Sequence, residues 1–123
     1  MSMPANGNRK ALLVVEDDIL IAGMVADQLG ELGYLVAGPA HSLEDGERLA
    51  IDAPIDGALI DVNLRRGVLS SPIADILIER KIPFLFVTGY NEVPEDRFRH
   101  ISLLPKPFTL ERLRRAVERM LTP

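Results

Sequence analysis

The sequence predicts an α/β fold, a doubly wound parallel sheet of five strands with helices on both faces. Three observations predict it. Apolar runs of about five residues recur without alternation, as in Ala11-Leu12-Leu13-Val14-Val15 and Ile55 to Ile60, which is how strands buried on both faces read. Segments with helical spacing separate these runs, and strand–helix alternation of this length gives a parallel sheet. The 123 residues contain no linker and no internal repeat, so one core accounts for the chain.

Taken in order, residues 1–9 are small and polar, with Pro4 and Gly7, and are expected to be a flexible tail ahead of a domain over residues 10–123. The first strand ends at Glu16-Asp17-Asp18. Asp18 is placed to cap a helix carrying Ile21, Val25, Leu29 and Leu32, which Gly33 stops. Tyr34-Leu35-Val36-Ala37-Gly38 reads as a second buried strand ended by Gly38-Pro39. Ser42 opens a shorter helix with Asp45 as a capping-box partner, and Pro54 closes it. Ile55 to Ile60 is the third strand, reaching Asp61.

Val62 to Ser70 is a loop with Arg65, Arg66 and Gly67. Ser71-Pro72 has the form of an N-cap with a first-turn proline, opening a helix to Lys81. Ile82 to Val87 is the fourth strand, with Pro83 near its start. Asn91 to Arg99 contains Pro94 and only Val93 and Phe98 as apolar anchors, so a short or distorted helix is expected there. Ile101 to Leu104 is a short fifth strand. Thr109 caps a last helix whose buried stripe is Leu110, Leu113, Val117 and Met120. Its Arg112, Arg114, Arg115 and Arg119 lie off that stripe, on a face that is either solvated or suited to an acidic partner.

Composition narrows the function classes. There is no cysteine, which excludes disulfides and thiolate metal sites. No apolar run approaches the roughly 20 residues that span a bilayer, and the first residues lack the apolar centre of a secretory signal. A cytoplasmic protein without membrane association is therefore expected. A net charge of −4 argues against a nucleic-acid binder. His41 and His100 have no acidic neighbours in sequence that would make a ligand or base set, and both read as surface residues.

In open parallel sheets, ligands bind beyond the carboxyl ends of the strands. That rule gathers Glu16, Asp17, Asp61, Thr88 and Lys106 on one rim, because each follows its strand immediately. Three carboxylates so close repel one another, and oxygen ligands without His or Cys favour Mg²⁺ or a similar hard ion. Lys106, set between Pro105 and Pro107, can pair with Asp61 or with a phosphoryl oxygen there. Thr88 offers a hydroxyl to the same oxygen. An aspartate beside a hard cation, an ammonium and a hydroxyl can act as a nucleophile toward phosphorus.

Four motifs stand at these strand ends, namely Val14-Val15-Glu16-Asp17-Asp18, Leu59-Ile60-Asp61-Val62-Asn63, Val87-Thr88-Gly89 and Leu104-Pro105-Lys106-Pro107-Phe108. In this order they resemble the response-regulator receiver domain of bacterial two-component signalling, over residues 10 to 121. The resemblance implies a flavodoxin-like (βα)5 fold with strand order 2-1-3-4-5. It implies that Asp61 accepts a phosphoryl group from a sensor histidine kinase or a histidine phosphotransferase. Asp17, Asp61 and the Asn63 carbonyl would bind Mg²⁺ directly, with Glu16 acting through water. Thr88, Lys106 and the Gly89 amide would contact the phosphoryl oxygens, and Lys106-Pro107 would be a cis peptide.

Most receivers carry Tyr or Phe three residues before the lysine, where this chain has Leu103. Phe86-Val87-Thr88-Gly89-Tyr90 instead resembles the Phe-x-Thr-Gly-Tyr signature of a divergent single-domain subgroup found in alphaproteobacteria. Tyr90, Leu103 and Phe108 are then the expected switch and partner surface. The leading expectation is a stand-alone phosphoacceptor switch, relay or sink, monomeric or dimerising on phosphorylation. It would bind a protein output partner and have no turnover beyond its own phosphorylation and slow self-dephosphorylation. The alternatives are a Mg²⁺-dependent phosphohydrolase with an aspartyl nucleophile, which would want an acid where Asn63 stands, and a phosphorylation-independent adaptor.

Overall fold

In the computed structural model, which describes residues 9–90 and 92–123, five parallel strands form one sheet. The strands are β1 (Ala11–Val15), β2 (Leu35–Ala40), β3 (Gly57–Asp61), β4 (Phe84–Thr88) and β5 (Leu103–Pro105). Their order across the sheet is β2-β1-β3-β4-β5. The helices are α1 (Ile19–Glu31), α2 (Leu43–Asp52), α3 (Ser71–Glu79) and α4 (Leu110–Leu121). The expected tail lies, apart from Arg9, outside the described residues.

The non-alternating apolar runs explain the two cores. Leu13, Val15, Ala58, Ile60, Phe84 and Phe86 point to one face and pack with Ala50, Ile73 and Leu77 from α2 and α3. Leu12, Val14, Leu59, Leu85 and Val87 point to the other and meet Val25 and Leu29 of α1 and Leu113 and Val117 of α4. Each Val, Leu, Ile or Phe among them, once buried, contributes about 1.5–3 kcal/mol. Three helices begin at the side chains that the sequence nominates. Asp18 accepts from the amides of Leu20 and Ile21 at 2.9 and 3.1 Å, Ser42 from Asp45 at 3.2 Å, and Thr109 from Arg112 at 3.1 Å.

Five local expectations need correcting. Ser71 is the first residue of α3, not its cap. The flanking Ser70 turns its hydroxyl away to donate to the Val62 carbonyl at 3.2 Å. β2 is an edge strand, half-exposed along most of its length. It also continues through Gly38-Pro39 to Ala40, where the sequence suggests a stop. The pairing passes from Leu13↔Ala37 to Val15↔Ala40, so β2 carries one extra residue in a bulge. Gly38 makes that bulge possible. Its φ is +87°, and a Cβ there would lie 2.6 Å from the Ala40 amide nitrogen.

Lastly, the fourth βα unit has no α-helix among the described residues. Among the described residues between β4 and β5, which leave out Asn91, the regular structure is a 3₁₀ turn at Asp96–Phe98, and the fifth strand starts at Leu103 and not at Ile101. Phe98 holds this connection down. It is fully buried and stacks edge-on against Phe86, with ring centroids 5.7 Å apart, and Phe86 in turn meets Phe84 at 5.5 Å. Arg97 covers Phe98, its guanidinium carbon 4.2 Å from the ring centre, and pairs with Asp75 on α3 and with Glu95.

Candidate functional site

The strand registers bring four strand ends to one place. Val15 stands beside Ile60, and Asp61 beside Val87. Glu16, the next residue along β1, therefore falls beside Asp61, while Thr88 follows Val87 on the other side. The Lys106 amide donates to the Thr88 carbonyl at 2.8 Å, which ties the residue after β5 to the same rim. The Lys106–Pro107 peptide is cis.

The centre is an acidic cluster held by one ammonium. Lys106 Nζ donates to Glu16 Oε1 at 2.7 Å and to Asp61 Oδ2 at 3.1 Å. Glu16 and Asp61 are buried, at 4% and 7% exposed, and Asp17 is half-buried beside them. One carboxylate oxygen from each of Glu16, Asp17 and Asp61 lies within 4.8 Å of the others. At an effective dielectric near 20, like charges at that distance repel by about 3 kcal/mol per pair. One lysine cannot offset three carboxylates.

The proton affinities follow from this geometry. Burial and the negative charge of Glu16 push Asp61 up to about 7, against the pull of Lys106. Burial and Glu16 also raise Asp17. Burial would raise Glu16 as well, but its bonds to Lys106 and to the Asp18 amide bring it below the usual carboxylate range. For Lys106, the two carboxylates outweigh burial and hold the ammonium above its ordinary value. Glu16 therefore keeps its negative charge, and the cost of adding further charge falls on Asp61 and Asp17. Three converging carboxylate oxygens in a half-buried setting, with no sulfur or imidazole donor in the cluster, fit a hard divalent cation such as Mg²⁺.

The other sequence-nominated residues fall as follows. Asn63 is exposed just beyond β3 and makes an isolated antiparallel bridge with Leu69. Thr88 is buried, and its hydroxyl accepts from the Tyr90 amide at 3.0 Å. Gly89 is exposed, with open space where a side chain would be. The Tyr90 side chain is 77% exposed and away from the core. Leu103 is half-buried, paired with Phe86 in the sheet and packed against the core of the α2–α3 face. Phe108 packs against the core of the α1–α4 face. Tyr90, Leu103 and Phe108 therefore do not form one cluster.

The sequence reading missed His41. Its ring is on the surface, as expected, but Nδ1 lies 3.1 Å from the Glu16 carbonyl oxygen. No local signal announces a contact between residues 25 apart. The glycine-proline pair inside an apolar run was the available hint of a bulge. On α4, Arg114 pairs with Glu111 and Glu118, and Arg115 with Glu111, so half of the arginine face is committed within the helix.

No protein-family model matches the chain, and no curated protein sequence does. Solved structures do. The solution structure of SdrG from Sphingomonas melonis Fr1 is 38% identical, with a TM-score of 0.82, covering 93% of this chain and 98% of that one. The BeF3-activated conformation of SdrG from Pseudomonas melonis Fr1 is 39% identical, with a TM-score of 0.77, covering 91% and 96%. The non-phosphorylated HemR receiver domain from Leptospira biflexa is 25% identical, with a TM-score of 0.79, covering 94% and 96%.

Proposed function

This chain belongs to the response-regulator receiver domains, and from that premise we propose that Asp61 is its phosphoacceptor. The observation that carries the reading is the Lys106 ammonium seated on Asp61 Oδ2 inside a cluster of three carboxylates at the sheet's carboxyl edge. The donor is a phosphohistidine of a sensor histidine kinase or a histidine phosphotransferase. An Asp61 carboxylate oxygen attacks phosphorus and forms the new O–P bond. The P–N bond breaks, and its electron pair leaves on the imidazole nitrogen, which takes up a proton. Later attack by water on phosphorus releases inorganic phosphate and restores the carboxylate, so the domain switches without turning over an external substrate.

This chain's own groups have distinct parts in that exchange. Lys106 orients Asp61 before transfer and is placed to follow the charge as it moves onto the phosphoryl oxygens. Glu16 fixes Lys106 from the other side. The Thr88 hydroxyl and the Gly89 amide are the donors on the β4 side. Glu16, Asp17 and Asp61, with the Asn63 carbonyl, would hold Mg²⁺, which when bound offsets negative charge on the carboxylates and the phosphoryl group. Tyr90 and the connection to β5 follow Thr88 directly and form the surface through which an output protein would sense the change.

Intact mass after incubation with acetyl phosphate and Mg²⁺, on wild type and Asp61→Asn, tests the assignment. A phosphoryl adduct on wild type alone is expected. An equal adduct on both proteins, or none on wild type with either acetyl phosphate or a phosphorylated histidine phosphotransferase, would overturn it. Elution volume recorded in parallel separates a monomeric switch from one that dimerises on phosphorylation.

A further inference from the structure

The bulge in β2 has a product. One extra residue between Leu13 and Val15 of the partner strand advances β2, so that Ala40 pairs with Val15 and His41 arrives beside Glu16. Two bonds then tie the end of β1 to the end of β2. The Glu16 amide donates to the Ala40 carbonyl at 2.9 Å, and His41 Nδ1 stands 3.1 Å from the Glu16 carbonyl. A carbonyl oxygen only accepts, so Nδ1 carries the hydrogen in this contact. Both backbone polar groups of Glu16 are thereby held. The peptide that His41 grips is the one joining Glu16 to Asp17, and both carboxylates of the acidic cluster on the β1 side hang from it.

We infer that His41 is a positioning residue for the acidic centre. Its Nδ1–H fixes the Glu16–Asp17 peptide, and so fixes where the Glu16 carboxylate meets Lys106 and where the Asp17 carboxylate faces Asp61. Without that bond the carbonyl is free to rotate toward water, because residues 16–18 leave the sheet here and, among the described residues, only the Ala40 contact remains on Glu16's backbone. Outer groups that orient ligating side chains typically govern metal affinity by about ten- to a hundredfold. A bulge placed beside a site to re-aim one side chain is a recognised use of that irregularity. The inference rests on the acidic cluster being a divalent-cation site, as proposed above, only for its first readout.

The test uses the full chain as wild type, His41→Ala, His41→Asn and His41→Gln. Asparagine places an amide N–H at the same reach from the backbone as Nδ1; glutamine places it one methylene farther. Mg²⁺ affinity is measured by calorimetric titration, and amide and Lys106 side-chain resonances are recorded without metal. Expected is an approximately tenfold weaker Mg²⁺ affinity for His41→Ala, recovered in His41→Asn and not in His41→Gln. The metal-free resonances of Asp17, Asp18 and Lys106 should move in the alanine variant and return in the asparagine one. Unchanged affinity in His41→Ala, or equal weakening in the alanine and asparagine variants, would overturn the role. If wild type binds no Mg²⁺, the metal reading of the cluster fails. The metal-free spectra then decide the role of His41 alone, the absence of any shift at Asp17, Asp18 and Lys106 counting against it.

Discussion

Asp61→Asn should stabilise the domain when no divalent cation is present, and should do so more as the pH rises. Asp61 in the folded protein is raised from 3.8 to about 7 by burial and by Glu16. The folded carboxyl therefore binds its proton more tightly than the unfolded one. Its contribution is greatest below pH 4 and is lost as the pH climbs through 7, where the folded state must carry a charge that the unfolded state carries freely. Three pKa units correspond to about 4 kcal/mol. That figure already contains the attraction to Lys106, so the gain at pH 8 is up to about 4 kcal/mol, or roughly 16 °C in Tm for a domain of this size. Thermal melts of both proteins in chelator at pH 5 and pH 8 provide the check. The gap should be less than half as large at pH 5, about 1.5 kcal/mol, and open toward pH 8, and excess Mg²⁺ should narrow it at pH 8 by stabilising wild type. A gap independent of pH, or a variant less stable at pH 8, would refute the claim that the three carboxylates strain the native state.

Lys106→Gln removes the cation that serves both Glu16 and Asp61. Chemical denaturation at pH 8 without Mg²⁺ should show a loss of about 3 kcal/mol, smaller at pH 5, as expected when a buried pair is broken from one side. Gly38→Ala forces a Cβ onto the Ala40 amide at a φ of +87°. It should cost about 2–3 kcal/mol and weaken Mg²⁺ binding with it, because His41 rides on the same bulge. Phe98→Ala should lose about 3–5 kcal/mol, and hydrogen exchange should speed up over residues 92–102 before it does elsewhere. Asp75→Asn, which breaks only the half-exposed pair with Arg97, should cost under about 1 kcal/mol in the same denaturation assay.

Much of this architecture was legible in the sequence because burial on both faces leaves an unbroken apolar run, and a carboxylate or hydroxyl at its end marks the sheet's open edge. Asp61, Asp17 and Thr88 were nominated that way, and Lys106 by its place between two prolines after the last strand, since each signal is local. What was missed depends on contacts far apart in the chain. The Gly38-Pro39 pair looks like a terminator because both residues end strands more often than they bulge them. Only the pairing with β1 reveals that the strand goes on and delivers His41. Phe98 was visible as an isolated anchor in a weak segment, but its cap by Arg97 and Asp75 requires α3 to lie underneath. The expected helix over Asn91 to Arg99 shrank to a 3₁₀ turn because one buried aromatic and one arginine hold the connection without it.

The two edges of the sheet are closed to other strands by different means. At β2 the bulge interrupts the regular spacing of outward-facing backbone groups. At β5 only three residues are extended. The Ser102 carbonyl and Lys106 amide bond to β4, so Pro105, by alternation, faces outward with no N–H to offer. A neighbouring molecule therefore finds only a short, interrupted ladder to extend on either side. Short, interrupted edges of this kind disfavour growth of crowded copies into one continuous sheet.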